Sequence, residues 1–311
     1  MQVVEPAGAP RRVVVVHHDR KSQRVLHRMA AAAVRNVEVV EKLESALERD
    51  PHVLVVDAAA SALDLPKRHP NIAFVAVPGD GALPCESMRA AAMIEAGWHH
   101  VVTQPAPLLG EELVAVLGCL VGGVRPDLDH LLLAGAPVVK ATLDDTADRE
   151  PAVAALVADV VKMGLSDRVA SLASVIADEL LSNAIYSGPV DGEGHRPHAS
   201  DRRDVARALS PREQVELRWS SDARYLAIDV RDGWGSLDVT TIGRQLAAGI
   251  RGNVLDAGGG MGLSLVHACC QRLHLAVAPG TETSAIAMID LRHRATELAR
   301  TGSVHLYGGR S

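Results

Sequence analysis

Over residues 12–122 the hydrophobic positions follow two alternating patterns. Short continuous runs of β-branched residues, VVVV at 13–16 and VLVV at 53–56, read as strands buried on both faces of a parallel sheet. Between them apolar residues recur at helical spacing, first over 20–34. Continued along the chain, the same two patterns predict strands at 37–40, 72–77 (IAFVAV) and 101–103, and helices at 41–49, 86–96 and 108–121. Strands alternating with helices at this interval predict an α/β domain over residues 1–122, doubly wound around a five-stranded parallel sheet. Its site should lie at the carboxyl ends of the strands, where Asp57 stands.

Residues 122–130, GGVRPDLDH, break both patterns with glycine, proline and charge, and 123–130 serve as a linker. A second domain is expected over 131–295. Its predicted elements are a strand near 131–142, helices near 150–163 and over 175–187, strands at 214–219 and 225–231, and a closing strand at 284–291. Residues 187–213 are polar and charged, and predict a surface excursion with a short helix at 201–209. A glycine run at 258–262 opens a further apolar helix. From 292 the chain is polar and glycine-tipped, and residues 296–311 are expected to fray as a tail.

Composition narrows the class. Three Trp, three Tyr and one Phe leave the cores to Val, Leu, Ala and Ile, within a hydrophobic content of 48% that suffices for two cores. The net charge of −6, with interspersed signs, gives no electrostatic footprint for nucleic acid, and no basic run fits an anionic membrane surface. MQVVEPAGAPRR has no apolar core of a leader and nowhere are there 18 consecutive apolar residues, so a soluble cytoplasmic protein is expected. Cys85, Cys119, Cys269 and Cys270 have no framework spacing. His267, Cys269 and Cys270 read as core or edge residues, because adjacent cysteines on a helix cannot easily chelate one metal. A metal-binding or pH-sensing role for His17 and His18 is disfavoured on the ground that neighbours at a strand end point apart.

The candidate chemistry begins in VIADELLSNAIYS, residues 175–187. Ile176, Leu180, Leu181 and Ile185 form its apolar stripe, while Glu179 and Asn183, four apart, sit one turn above the other on a polar face. The Asn oxygen suits a hard cation bridging phosphates, and the carboxylate suits orienting or deprotonating a nucleophile. A solvated helix face is the plain alternative. Two later stretches add to the pair. LAIDVRDGWGSLD, 226–238, is a strand ending in Asp232 and a glycine turn. In GGGMGLSLV, 258–266, glycines let the backbone approach phosphate oxygens and the following helix N-terminus points N–H groups at them.

At these three stretches the chain resembles the GHKL ATPases, the fold shared by histidine-kinase catalytic domains, anti-sigma-factor serine kinases and gyrase-type topoisomerases. The resemblance implies an α/β two-layer sandwich that binds ATP with Mg. Glu179 and Asn183 match the family's N box, which makes Asn183 the Mg ligand and Glu179 the catalytic base. Asp232 matches the aspartate that accepts the adenine amino hydrogen bond, with Gly235 in the first glycine box, while Gly258, Gly260, Gly262 and Leu263 match the second. Thr283 stands where a threonine supports the aspartate. Residues 239–257 correspond to the lid, where Arg244 and Arg251 either reach phosphates or form charged lid surface. His195, Arg196 and His198 face the same choice between phosphate contact and solvated loop. The first glycine box departs from the family at its third and fifth positions, here Trp234 and Ser236; Trp234 would stack on the adenine or fill its pocket. The DxxxSxD pattern of Asp232, Ser236 and Asp238, and the lack of room for dimerisation helices between 122 and 131, bring the anti-sigma kinases nearest.

Residues 12–122 in turn resemble response-regulator receiver domains, with Asp57 at the phosphoacceptor position. His17, His18 and Asp19 stand where a pair of acids would hold Mg, Val77 and Pro78 where a hydroxyl residue is expected, and Gln104 where a lysine precedes the proline, here Pro105. These departures weaken phosphoryl transfer to Asp57 and imply a pseudo-receiver that docks a partner or the neighbouring domain. Three functions follow. The first is a bacterial-type signalling regulator acting as an anti-sigma-like serine/threonine kinase or switch. The second is a non-catalytic adaptor, with or without bound ATP, and the third an ATPase domain that phosphorylates histidine on a separate protein. The expected partner is an anti-sigma antagonist, a sigma factor or another signalling protein, with a homodimer left open and neither nucleic acid nor membrane engaged directly.

Overall fold

A computed structural model describes residues 11–79, 85–252, 261–292 and 301–308. The chain separates into two compact units, Met1–Arg125 and Pro126–Ser311.

The first unit alternates strand and helix. It runs β1 (Val13–Val16), α1 (Arg20–Ala33), β2 (Val37–Val40), α2 (Leu43–Leu47), β3 (Val53–Asp57), α3 (Leu65–Arg68), β4 (Ala73–Val77), α4 (Ser87–Glu95), β5 (His100–Val101) and α5 (Leu108–Gly122). The strands order β2-β1-β3-β4-β5 with every pair parallel, the 2-1-3-4-5 order of a doubly wound fold. Val13, Val14 and Val15 of β1, and Val53 to Val56 of β3, are buried on both faces, which is why these strands are unbroken β-branched runs. Asp19 opens α1 by accepting the Ser22 N–H at 2.7 Å. Leu26 and Ala30 of α1 then pack with Leu109, Leu113, Val116 and Leu117 of α5 against the sheet.

The second unit begins with α6 (Leu128–Leu131), inside the segment expected as linker; Leu128 is buried there. There follow β6 (Val138–Leu143), α7 (Arg149–Lys162), α8 (Asp167–Ser182), β7 (Val215–Ser221), β8 (Tyr225–Asp232), α9 (Val239–Ile250), α10 (Met261–Cys269), β9 (Arg272–Ala278), β10 (Glu282–Asp290) and β11 (Ser303–Tyr307). Its mixed sheet orders β11-β9-β10-β8-β7-β6; β11 runs parallel to β9 and all other neighbours are antiparallel. Side chains alternate along β8, so Leu226, Ile228, Val230 and Asp232 share one face and Tyr225, Ala227, Asp229 and Arg231 the other. Helix α8 packs on β7, β8 and β10. The second face carries a small cluster of Leu128, Leu132, Tyr225, Ala227, Ile286 and Met288. Beside it, fully buried Asp229 accepts from Arg218 and Arg231, and both arginines also bond Asp127. A buried carboxylate is tolerable here because two guanidiniums meet it.

Four expectations are corrected. The tail is not frayed throughout: Ser303–Tyr307 is a wholly buried strand, its polar Ser303 and His305 included. No helix forms over 201–209; the segment turns and makes a single bridge, Ala208 to Asp145. The helix of Glu179 begins at Asp167, where the Ser166 hydroxyl caps it, and leaves α geometry after Ser182 for a π-turn over Asn183–Ser187. The strand near 131–142 starts only at Val138, because α6 ends at Leu131 and a turn follows, with Gly135 at φ +86° and the Ala136 N–H on the Leu133 carbonyl.

Candidate functional site

The carboxyl end of α8 gathers the candidate residues of the second unit. Glu179 lies in its last turn, and Asn183 opens the π-turn, which closes with the Gly188 N–H donating to the Asn183 carbonyl at 2.8 Å. Single π-turns insert a residue into a helix and re-aim its side chains. Gly262, in the first turn of α10, abuts both: a Cβ there would stand 2.5 Å from Glu179 Oε2 and 3.3 Å from Asn183 Nδ2. A larger residue there would have to displace the Glu179 carboxylate. The Nδ2 of Asn183 is screened from solvent with no hydrogen-bond partner among the described residues, so the amide retains unused polar capacity at this spot. Leu263 is buried beneath; Gly258 and Gly260 lie outside the described residues.

Asp232 ends β8 on the helix-facing side, in antiparallel register with Thr283. Its Oδ1 accepts the Trp234 N–H at 2.8 Å. Burial pushes the Asp232 carboxyl above its ordinary value, although hydrogen bonds from Trp234, Gly235 and Thr283 oppose the rise. A Cβ on Gly188, which closes the π-turn, would stand 2.5 Å from the Ala184 carbonyl oxygen, and in ordinary contact, 3.5 Å, with the Asp232 carboxyl carbon. The two groups, Glu179 with Asn183 and Asp232 with Thr283, are thus joined by one helix end. Gly235 has φ +58°, and any Cβ would fall on the Ala278 carbonyl oxygen.

The rest of the first glycine box is structural. Ser236 Oγ donates to the Gly188 carbonyl at 2.6 Å, tying the loop to the π-turn, and Asp238 caps α9 through the Thr240 and Thr241 N–H groups. Trp234 is half-buried, and the Arg212 guanidinium lies 4.3 Å from its ring centroid. One face of the indole is therefore occupied, and a base could stack only on the other. Arg244 donates to Thr241 Oγ1 at 3.2 Å. His195 faces Asp191, and His198 faces Asp201 and Glu213, so both histidines are turned onto carboxylates of the excursion itself. Arg196 reaches the Ser236 carbonyl at 3.5 Å.

One residue that the sequence did not single out is Arg203. It contacts the Ser182 hydroxyl and its guanidinium lies 4.4 Å from the Tyr186 ring centroid. Ser182 ends α8 between Glu179 and Asn183 in the chain, and Tyr186 lies in the π-turn that follows. Arg203 therefore touches the same helix end that carries Glu179 and Asn183. No local signal announces this, because the excursion brings Arg203 from a stretch with no periodicity.

In the first unit Asp57 is buried at the end of β3 and accepts the Ala59 N–H at 2.7 Å. His17 is also buried; its Nδ1 accepts the Asp19 N–H at 3.0 Å, which leaves the ring hydrogen on Nε2 to donate to the Gly79 carbonyl at 2.5 Å. The expectation that His17 and His18 point apart is wrong. The chain turns at the strand end, and the two rings stack with centroids 4.9 Å apart and planes 15° from parallel. Gln104 is buried, and Arg89 spends its guanidinium on the carbonyls of Ala58 and Ser61. Burial pushes the nearby Cys85 thiol up to about 11, against the pull of Arg89, so it is no ready nucleophile.

No protein-family model matches the chain, and no curated protein matches it. Two solved structures similar to it fit the N-terminal part. A pilus assembly-related protein from Burkholderia pseudomallei K96243 is 19% identical, with 38% of this chain and 93% of the other covered and a TM-score of 0.30. A LuxR-family DNA-binding response regulator from Silicibacter pomeroyi is 18% identical, with 37% and 92% covered and a TM-score of 0.29. Neither likeness assigns a role.

Proposed function

We propose that the second unit binds Mg-ATP as a GHKL-type module and that the chain is a signalling regulator, an anti-sigma-like serine/threonine kinase or switch governed by a receiver-like first unit. The observation that carries this reading is the seat of Gly262 against Glu179 and Asn183, which brings a helix N-terminus onto a carboxylate and carboxamide pair. The unpartnered Nδ2 and the glycine cradle fit a phosphate-bearing ligand whose cation Asn183 would hold through its oxygen. Bound ATP with Mg would supply a transferable phosphoryl group. Around it, Glu179 would take the proton of an acceptor hydroxyl, Asp232 would accept the adenine amino hydrogen bond, and Arg203 would offer a positive charge on the phosphate side. The test is a calorimetric titration of the full chain with ATP and with GTP in magnesium. Binding of ATP alone supports the reading, because guanine presents an oxygen where Asp232 needs a donor. Equal binding of both, or of neither, counts against it.

A non-catalytic adaptor is the second reading, and Trp234 favours it. With Arg212 packed on one face of the ring, the indole leaves a base only its other face. Binding of ATP without transfer of label to any protein, in a chain whose Glu179→Ala variant behaves identically, would favour the adaptor.

A further inference from the structure

We propose that His17, His18 and Asp57 form a binding site for a divalent transition-metal ion of the zinc type. One ligating atom from each of the three lies within 4.8 Å of the other two. Ligands around tetrahedral zinc stand roughly 3.3–3.5 Å apart, given bonds of about 2.0–2.2 Å, so closing the site takes a contraction of an ångström or so. The residue free to supply it is His18, exposed while His17 and Asp57 are buried. Two imidazoles and one carboxylate are a donor set that suits zinc and its neighbours and suits magnesium poorly. The magnesium role implied by a receiver-type acid pair is thus replaced by a different metal preference.

The surroundings resemble a prepared outer shell. The Nε2–H of His17 on the Gly79 carbonyl and the Ala59 N–H on Asp57 Oδ1 fix two of the three side chains. Ligation through Nδ1 of His17 displaces the Asp19 N–H and keeps the Gly79 bond; ligation through Nε2 displaces Gly79, moves the proton to Nδ1 and so loses the Asp19 bond as well, which favours Nδ1 as the ligand. Lys21 and Arg89 line the same depression and oppose a cation, but Arg89 is turned onto the Ala58 and Ser61 carbonyls. A water would complete the coordination, as in zinc sites with three protein ligands.

The experiment is calorimetric titration of the chelator-treated full chain with Zn²⁺ and, separately, Mg²⁺, with Co²⁺ absorbance reporting coordination geometry. His18→Ala removes an exposed side chain, and Asp57→Asn removes a ligand charge while keeping the shape; thermal unfolding confirms that each is folded. The expected result is one Zn²⁺ site, weakened about ten-fold or more in both variants, a tetrahedral Co²⁺ spectrum lost in both, and no competition from equimolar Mg²⁺. The chain has 14 histidines, so Zn²⁺ binding that is unchanged in both variants resides elsewhere and overturns the proposal. Absence of Zn²⁺ binding, or displacement by equimolar Mg²⁺, does the same.

Discussion

A Cβ placed on Gly262 would stand 2.5 Å from the carboxylate oxygen Oε2 of Glu179, so the first turn of α10 meets the last turn of α8 through a contact that a larger residue could make only by displacing that carboxylate. Gly262→Ala should push the Glu179 side chain aside and disturb Asn183. Overpacking of this kind costs about 1–3 kcal/mol, and on the proposed function it falls on the ligand site: ATP affinity should drop about ten-fold or more. Calorimetry alongside circular dichroism checks this; unchanged affinity in a folded variant would mean the junction is not a phosphate cradle.

Gly235 and Gly252 both have positive φ, +58° and +78°, but differ in space. A Cβ on Gly252 would meet no atom of the described residues within 4 Å, whereas at Gly235 the Ala278 carbonyl fills the place. Gly252→Ala should therefore cost about 1 kcal/mol, the left-handed backbone penalty alone. Gly235→Ala adds overpacking and should cost about 2–4 kcal/mol in all. Urea unfolding of the two variants side by side gives the comparison.

Asp232 predicts an opposition between stability and recognition. Its carboxyl is raised by burial above the ordinary 3.8, so the folded state binds this proton more tightly than the unfolded state does. The corresponding stability is present below the unfolded pKa and is lost as pH rises through the folded one. Asp232→Asn removes the buried charge while its amide oxygen can still accept from Trp234. It should raise Tm at pH 7, with the gain vanishing in acid, and should abolish the preference of ATP over GTP. A Tm gain that persists undiminished below pH 3.8 would contradict the linkage.

Arg203→Ala removes the cation that contacts Ser182 and the Tyr186 ring. If Arg203 faces the terminal phosphate, ATP affinity should fall several-fold more than ADP affinity, the ratio being the readout. An equal loss for both nucleotides would assign Arg203 to anchoring the excursion.

Glu213 anchors that excursion. Burial works to raise its carboxyl, but the Ser210 hydroxyl and N–H together with Arg207 hold it down to about 2, from 4.5. Its contribution is present above the unfolded value and is lost as pH falls through about 2. Glu213→Gln should increase amide exchange across residues 207–214 at neutral pH, without a comparable change in β8.

The first unit was legible because its core strands are β-branched runs buried on both faces, and a run such as Val13–Val16 admits few other readings. Much of the second unit was legible for a different reason: α8 alternates apolar and polar positions at helical spacing, and β8, although buried on both faces, still places Asp229 and Arg231 alternately with Ile228 and Val230. β9 and β11 were not, since RLHLAVA and SVHLY bury Arg272, His274, Ser303 and His305 along with their apolar neighbours, and burial of polar residues erases the pattern that announces a strand. The candidate site shows the same division. The i, i+4 spacing put Glu179 and Asn183 together correctly. Arg203, the Arg212 contact with Trp234 and the stacking of His17 on His18 depend on turns whose geometry no periodicity encodes.

The most direct test of the central claim is the magnesium dependence of ATP binding in the native chain and in Asn183→Ala. The account predicts ATP binding that tightens with Mg²⁺ in the native chain, and a folded variant in which that tightening is lost. ATP binding that is indifferent to both Mg²⁺ and Asn183 would contradict it.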